Sequence, residues 1–188
     1  GAEVVLYIEF KKENNKKYYR ICYRELMMGK IKPIELEYKN FYAAIEEPRI
    51  VDEISDFLRL CWIFKMPLYI LTKEENKVES VLKKAKETTK GINYEEMKIK
   101  YIPHLSKDYI KVGFTKHSMQ NEHDLIKFLE NNDEEKIMLI FGNDTYGLKQ
   151  ETRDDLDYSF RLTPEIKKPL KANQALSYVL GIYTGRKL

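Results

Sequence analysis

Lys136-Ile137-Met138-Leu139-Ile140-Phe141-Gly142-Asn143-Asp144-Thr145-Tyr146-Gly147-Leu148 is the stretch on which the fold turns. Its first part, Lys136 to Phe141, is the most apolar strand candidate in the chain. An unbroken apolar run implies a strand covered on both faces, as in a parallel sheet. Gly142 then lets the chain turn where a side chain would block a ligand. Asn143 and Asp144 project polar groups, and Gly147 permits a second bend. Taken alone, this is also the pattern of an ordinary strand-to-helix turn.

The flanks extend the same reading. Upstream, Tyr109 to Thr115 predicts a strand, and Asn121 caps a helix carrying Leu125, Ile126, Phe128 and Leu129. Phe41 to Ile45 is a short apolar run that Glu46-Glu47-Pro48 ends. Val51 to Phe64 sets Ile54, Phe57, Leu58, Cys61 and Trp62 at helical spacing until Pro67 breaks the pattern. Leu68 to Leu71 predicts a buried strand, Glu74 to Lys90 an amphipathic helix ended by Gly91, and Lys98 to Ile102 a strand closed by Pro103. Downstream, Asp157 to Leu162 gives a last short strand and Asn173 to Tyr183 a final helix. Such alternation predicts an α/β domain over 41–188, with a mostly parallel sheet and helices on both faces. Sheets of this kind bind ligands at the carboxyl ends of their strands, so the loops after Ile70, Thr115, Phe141 and Leu162 are the candidate site.

Residues 1–40 read differently. Val4 to Phe10, Tyr18 to Arg24 and Ile34 to Tyr38 predict a small antiparallel β unit, with Glu13-Asn14-Asn15-Lys16 as a turn. Lys11, Lys12, Lys16, Lys17, Arg20 and Arg24 interleave there with Tyr18, Tyr19 and Tyr23. Basic groups neutralise phosphates and tyrosine rings stack on unpaired bases, so this unit is a candidate RNA-contacting extension. It reads equally well as a solvated hairpin with its tyrosines packed on the sheet.

Composition sets the outer limits. The chain has 188 residues, 43% hydrophobic and 34% charged, which describes a globular protein and not a disordered one. No apolar run approaches the roughly 20 residues that span a bilayer, and no signal-peptide pattern opens the chain, so a cytoplasmic protein without membrane contact is expected. Cys22 and Cys61 form neither a disulfide framework nor a zinc spacing, and no metal is expected. His104, His117 and His123 have no partner pattern that assigns them a role. Neither a G-x-G-x-x-G nor a G-x-x-x-x-G-K-[ST] loop is present, which argues against an ordinary nucleotide-binding domain.

Three segments carry a resemblance. Phe141 to Leu148 resembles the second motif of the SpoU/TrmH-type methyltransferases of the knotted SPOUT superfamily, Phe-Gly-Asn-Glu-x-x-Gly-Leu, with Asp144 in place of the Glu. Leu162-Thr163-Pro164 and Pro169-Leu170-Lys171-Ala172-Asn173-Gln174-Ala175-Leu176 are similar to the third motif, an Ile-Pro-Met-like strand end followed by Ser-Leu-Asn. Asp56 to Phe64 is similar to the first, with Arg59 at the family arginine. The order is right, and the likeness covers roughly residues 41–188. Glu53 stands where the family has Asn, Pro169 where it has Ser, and Lys171 where it has Asn, unless Asn173 takes that place.

The resemblance implies an S-adenosylmethionine-dependent RNA methyltransferase, ending in a C-terminal trefoil knot and dimeric through it. It implies ribose 2′-O methylation of tRNA or rRNA. A base-methylating knotted enzyme and a catalytically silent RNA-binding relative are the alternatives. Arg59, Asn143 and Asp144 become the catalytic candidates. Thr115, Gly142, Gly147, Leu162, Thr163, Leu170 and Ala175 become the cofactor-binding candidates. Lys149, Arg153, Lys167, Lys168 and Lys171 lie beside the same loops as candidate RNA phosphate contacts.

Overall fold

The computed structural model describes residues 6–13, 16–23, 40–133, 135–163 and 170–187. The chain divides into units at 1–36 and 37–188. In the first, β1 (Leu6–Glu13) pairs antiparallel with β2 (Lys16–Tyr23), Leu6 opposite Tyr23 and Glu13 opposite Lys16. The strand expected at Ile34 to Tyr38 lies outside the described residues.

The second unit runs β3 (Phe41–Glu46), α1 (Val51–Ile63), β4 (Leu68–Leu71), α2 (Glu75–Thr88), β5 (Ile99–Ile102) and β6 (Ile110–Phe114). It continues with α3 (Glu122–Asn131), β7 (Ile137–Phe141), α4 (Gln150–Asp154), β8 (Tyr158–Phe160) and α5 (Ala172–Lys187). The local signals act as expected. Asn121 Oδ1 accepts from the His123 N–H at 2.9 Å, and Asp124 Oδ2 accepts from the Asn121 N–H at 3.0 Å, a reciprocal capping box that starts α3. All five side chains of β7 are buried. No helix among the described residues is long and apolar enough to cross a membrane.

The sheet is parallel throughout, in the order β5-β4-β3-β7-β6-β8. One face carries the long helices. Phe57 of α1 meets Phe141 edge-on at 5.5 Å, Phe41 meets Tyr183 of α5 at 4.7 Å, and Phe128 of α3 packs on Phe160 at 5.7 Å. The other face carries Ala44, Met138 and Ile140 under Leu148 and Leu156, edged by Tyr42, Tyr69, Leu105 and Tyr109. Helices thus lie on both faces, but unequally, and chirality explains why. Parallel crossovers are right-handed. The steps β3 to β4, β4 to β5 and β6 to β7 travel one way along the sheet, which sends α1, α2 and α3 to the same face. The steps β5 to β6 and β7 to β8 travel the other way, and they are the short ones: a helix-free loop and the brief α4.

Candidate active site

The strand order places a switch point between β3 and β7. From β3 the chain leaves through α1 toward β4, and from β7 it leaves through α4 in the opposite direction. The loops that follow these two strands therefore part and leave a crevice at the carboxyl edge, the usual ligand position of an open parallel sheet.

The loop after β7 is built around two glycines and an asparagine. A Cβ on Gly142 would lie 2.0 Å from the Gly147 carbonyl carbon and 2.2 Å from the Leu148 nitrogen, so only glycine fits. Gly147 adopts φ +68°, in the left-handed region. Asn143 is buried. Its Oδ1 accepts from the N–H of Thr145 at 3.1 Å and of Tyr146 at 2.8 Å, while its Nδ2 donates to the Glu47 carbonyl across the crevice at 3.0 Å. Asn143, a catalytic candidate by resemblance, thus clamps the two loops together.

Glu53 is the junction of the site. Only 4% exposed, its carboxylate accepts from the main-chain N–H of Arg49 at 2.7 Å, Ile50 at 3.3 Å and Asp144 at 2.8 Å. A carboxylate at this position satisfies the orphan donors that open α1 and suits the positive end of the helix. Asp144 in turn accepts from the Ala172 N–H at 3.1 Å and so caps α5. Asn173 Nδ2 donates to Asp56, on the turn of α1 after Glu53. These bonds tie together all three segments that carry the resemblance.

Two more carboxylates, read from the sequence only as the end of a strand, close the second face. Glu46, 2% exposed, accepts from the Lys149 N–H at 2.7 Å and from the Thr152 hydroxyl. Glu47 accepts from the Thr72 hydroxyl and from Lys149 Nζ, both at 3.2 Å. They line a polar cleft of roughly 290 Å³ with Lys73 and His104. The acidic pair that ends β3 before Pro48 was the available signal.

The remaining candidates fall into two groups. Around the carboxyl edge, the Thr115 N–H donates to the Phe160 carbonyl at 3.0 Å, joining the loops after β6 and β8. Thr163 adopts φ +53°, unusual for a β-branched residue, and its buried hydroxyl has no hydrogen-bond partner among the described residues. Leu162 and Leu170 are half-buried, and Ala175 is buried on α5. Lys171 is exposed, Lys149 is exposed with its Nζ paired to Glu47, and the Arg153 guanidinium is committed to the Leu148 carbonyl and Gln150. Lys167 and Lys168 lie outside the described residues. Arg59 stands apart: it is exposed, and its guanidinium donates to the Lys90 carbonyl, just past the end of α2, at 2.7 Å. Reading by sequence also passed over Arg49 and Tyr146, whose guanidinium carbon and ring centroid lie 4.6 Å apart. An aromatic residue inside a glycine-bounded loop was the signal there.

No protein-family model and no curated protein matches the chain. Solved structures do. The SpoU methyltransferase AviRb from Streptomyces viridochromogenes, in complex with the cofactor AdoMet, is 14% identical with a TM-score of 0.56 over 82% of this chain and 60% of that one. A protein described for 2-OH methylation of C/U34 on tRNA is 15% identical with a TM-score of 0.54 over 78% and 94%. TrmJ from Z. mobilis is 12% identical with a TM-score of 0.53 over 76% and 67%. The chain thus shares the fold of these solved structures, one of them a SpoU methyltransferase and one concerned with methylation of tRNA.

Proposed function

We propose that the chain is an S-adenosylmethionine-dependent RNA methyltransferase that modifies a ribose 2′-hydroxyl of tRNA or rRNA. The junction at Asp144 carries this reading. Its N–H donates to Glu53 and its carboxylate accepts from Ala172, so the three motif-like segments meet at one point of the sheet.

In this reading the C-terminal part of the chain forms a trefoil knot. Main-chain groups of Gly142, Gly147, Leu162, Thr163, Leu170 and Ala175, with Thr115 beside them, surround the cofactor. The buried hydroxyl of Thr163, which has no partner among the described residues, supports the fit, since a buried polar group without a partner is costly unless a ligand satisfies it. Bound S-adenosylmethionine supplies a methyl group on a positively charged sulfur. Arg59 holds the phosphate beside the target ribose and favours the alkoxide as it forms. A single bond to a main-chain carbonyl at the surface exchanges readily with water, so little holds Arg59 in its present position. Asn143 and Asp144 fix the loop against which the ribose sits.

Lys149 and Lys171 are the exposed phosphate contacts beside these loops. The N-terminal hairpin adds Lys12 and Lys17, both exposed and directly opposite in register. Like charges so placed repel, and a phosphate between them relieves the repulsion. We assign dimerisation to α5, which leaves Tyr178 40% exposed beside Ser177 and Gly181. A monomer by light scattering at micromolar concentration counts against that assignment.

The deciding experiment is transfer of labelled methyl groups to total RNA followed by nucleoside analysis. Label in a 2′-O-methylated nucleoside is expected, and label on a base moves the chain to the base-methylating class. One observation favours a silent RNA-binding relative: Arg59 faces Lys90 instead of the crevice loops. Calorimetry with S-adenosylmethionine separates the two, since a silent relative binds none.

A further inference from the structure

Tyr146 is 68% exposed, yet the loop that presents it is held on every side. Its N–H donates to Asn143 Oδ1 at 2.8 Å, and the next N–H, of Gly147, donates to the Asn143 carbonyl at 2.9 Å. Asn143 is anchored across the crevice to Glu47, and Gly142 is packed so closely that it admits no side chain. Arg49 lies 4.6 Å from the centroid of the Tyr146 ring, with its own N–H fixed by Glu53. Ile50, next in the chain, is 53% exposed. Neither ring nor guanidinium is needed to close these turns, because the main chain and the buried Asn143 and Glu53 already do so.

We propose that Tyr146, backed by Arg49, is a stacking platform for an unpaired nucleobase next to the methylated nucleotide. The inference rests on the RNA methyltransferase reading and names residues that set its choice of substrate. Stacking on an aromatic side chain requires an exposed ring, and it is strongest when that ring is already immobile, because little freedom is lost on binding. Here the ring is exposed, its main chain is fixed by Asn143, and Arg49 lies over one side of it. The guanidinium over the ring adds a cation–π contact and brings a positive charge to the phosphate that follows a stacked base. Tyr146 is two residues from Asp144, so a base seated on it lies beside the junction of the three segments. Bases inside an RNA duplex already use both faces for stacking, so the platform selects unpaired nucleotides.

The test compares affinity for a short single-stranded oligoribonucleotide with affinity for a blunt RNA duplex, by fluorescence anisotropy at fixed salt, using the full chain. Tyr146→Ala is expected to weaken single-strand binding about tenfold to a hundredfold and to leave duplex binding unchanged. Tyr146→Phe and Tyr146→Trp keep the wild-type affinity, since both retain a ring. Arg49→Gln reduces the log–log salt slope of single-strand binding by about 0.7. Both side chains are exposed, so the melting temperature should not move, which separates lost stacking from a disturbed fold. If Tyr146→Ala binds the single strand as the wild type does, or loses strand and duplex equally, the platform is wrong and the methyltransferase reading stands. A wild-type chain that binds neither RNA overturns both.

Discussion

The two charged residues of α1 that the motifs single out, Glu53 and Arg59, are treated in opposite ways. Glu53 is buried at the start of the helix and accepts three main-chain N–H groups from two loops. Arg59 is exposed farther along and donates to one carbonyl. Burial makes the first nearly irreplaceable, because deleting it strands donors away from water. Exposure leaves the second mobile. The contrast explains how a chain can differ at position 53 from the motif it resembles and still join the two loops. A carboxylate there accepts the Asp144 N–H directly, and Asp144, one methylene shorter than the Glu of the motif it resembles, accepts from the first turn of α5. The departure is architectural, whereas the chemistry is assigned to a side chain that folding does not restrain.

Substitutions sharpen this contrast, beginning with the largest loss of stability. Gly142→Ala forces a Cβ to within 2.0 Å of main chain. It should destabilise the chain by about 3 kcal/mol in urea unfolding and abolish cofactor binding. A stable, active Gly142→Ala protein would show that the crevice loop is not as drawn. Glu53→Ala leaves three N–H groups without their acceptor and should cost about 2 kcal/mol. Glu53→Gln, which keeps an acceptor oxygen, should cost less, and equal losses would mean that packing rather than hydrogen bonding sets the effect. Asp144→Ala removes the cap of α5, worth about 1 kcal/mol. The loss should be read in faster hydrogen exchange in the first turn of that helix, and unchanged exchange there would break the link between the second and third segments. Arg59→Ala should change stability by less than about 0.5 kcal/mol yet abolish methyl transfer, with S-adenosylmethionine affinity retained. Full turnover in that variant would remove Arg59 from the mechanism.

Much of the scaffold was legible from local chemistry. β7 is apolar at every position and is buried at every position. Asn121 and Asp124 stand at capping-box spacing and form that box. Pro48 and Pro103 stand just past the ends of β3 and β5, whereas α1 and α2 stop at Ile63 and Thr88, before Pro67 and Gly91 are reached. The unequal faces of the sheet were not legible, because they depend on strand order. The direction of each crossover is fixed only once the order β5-β4-β3-β7-β6-β8 is known.

For the candidate site the division is sharper. From the sequence came the positions of the three segments and the glycines that demand a tight turn at 142 and 147. Those features act within a few residues, where steric rules suffice. Only the tertiary structure decided what the polar residues do. Glu53 meets an N–H 91 positions away, and Asn143 meets a carbonyl 96 positions away. Whether a buried carboxylate or amide holds the fold or awaits a ligand depends on which donors and acceptors surround it. In this protein those groups come from strands and loops that only the folded sheet brings together.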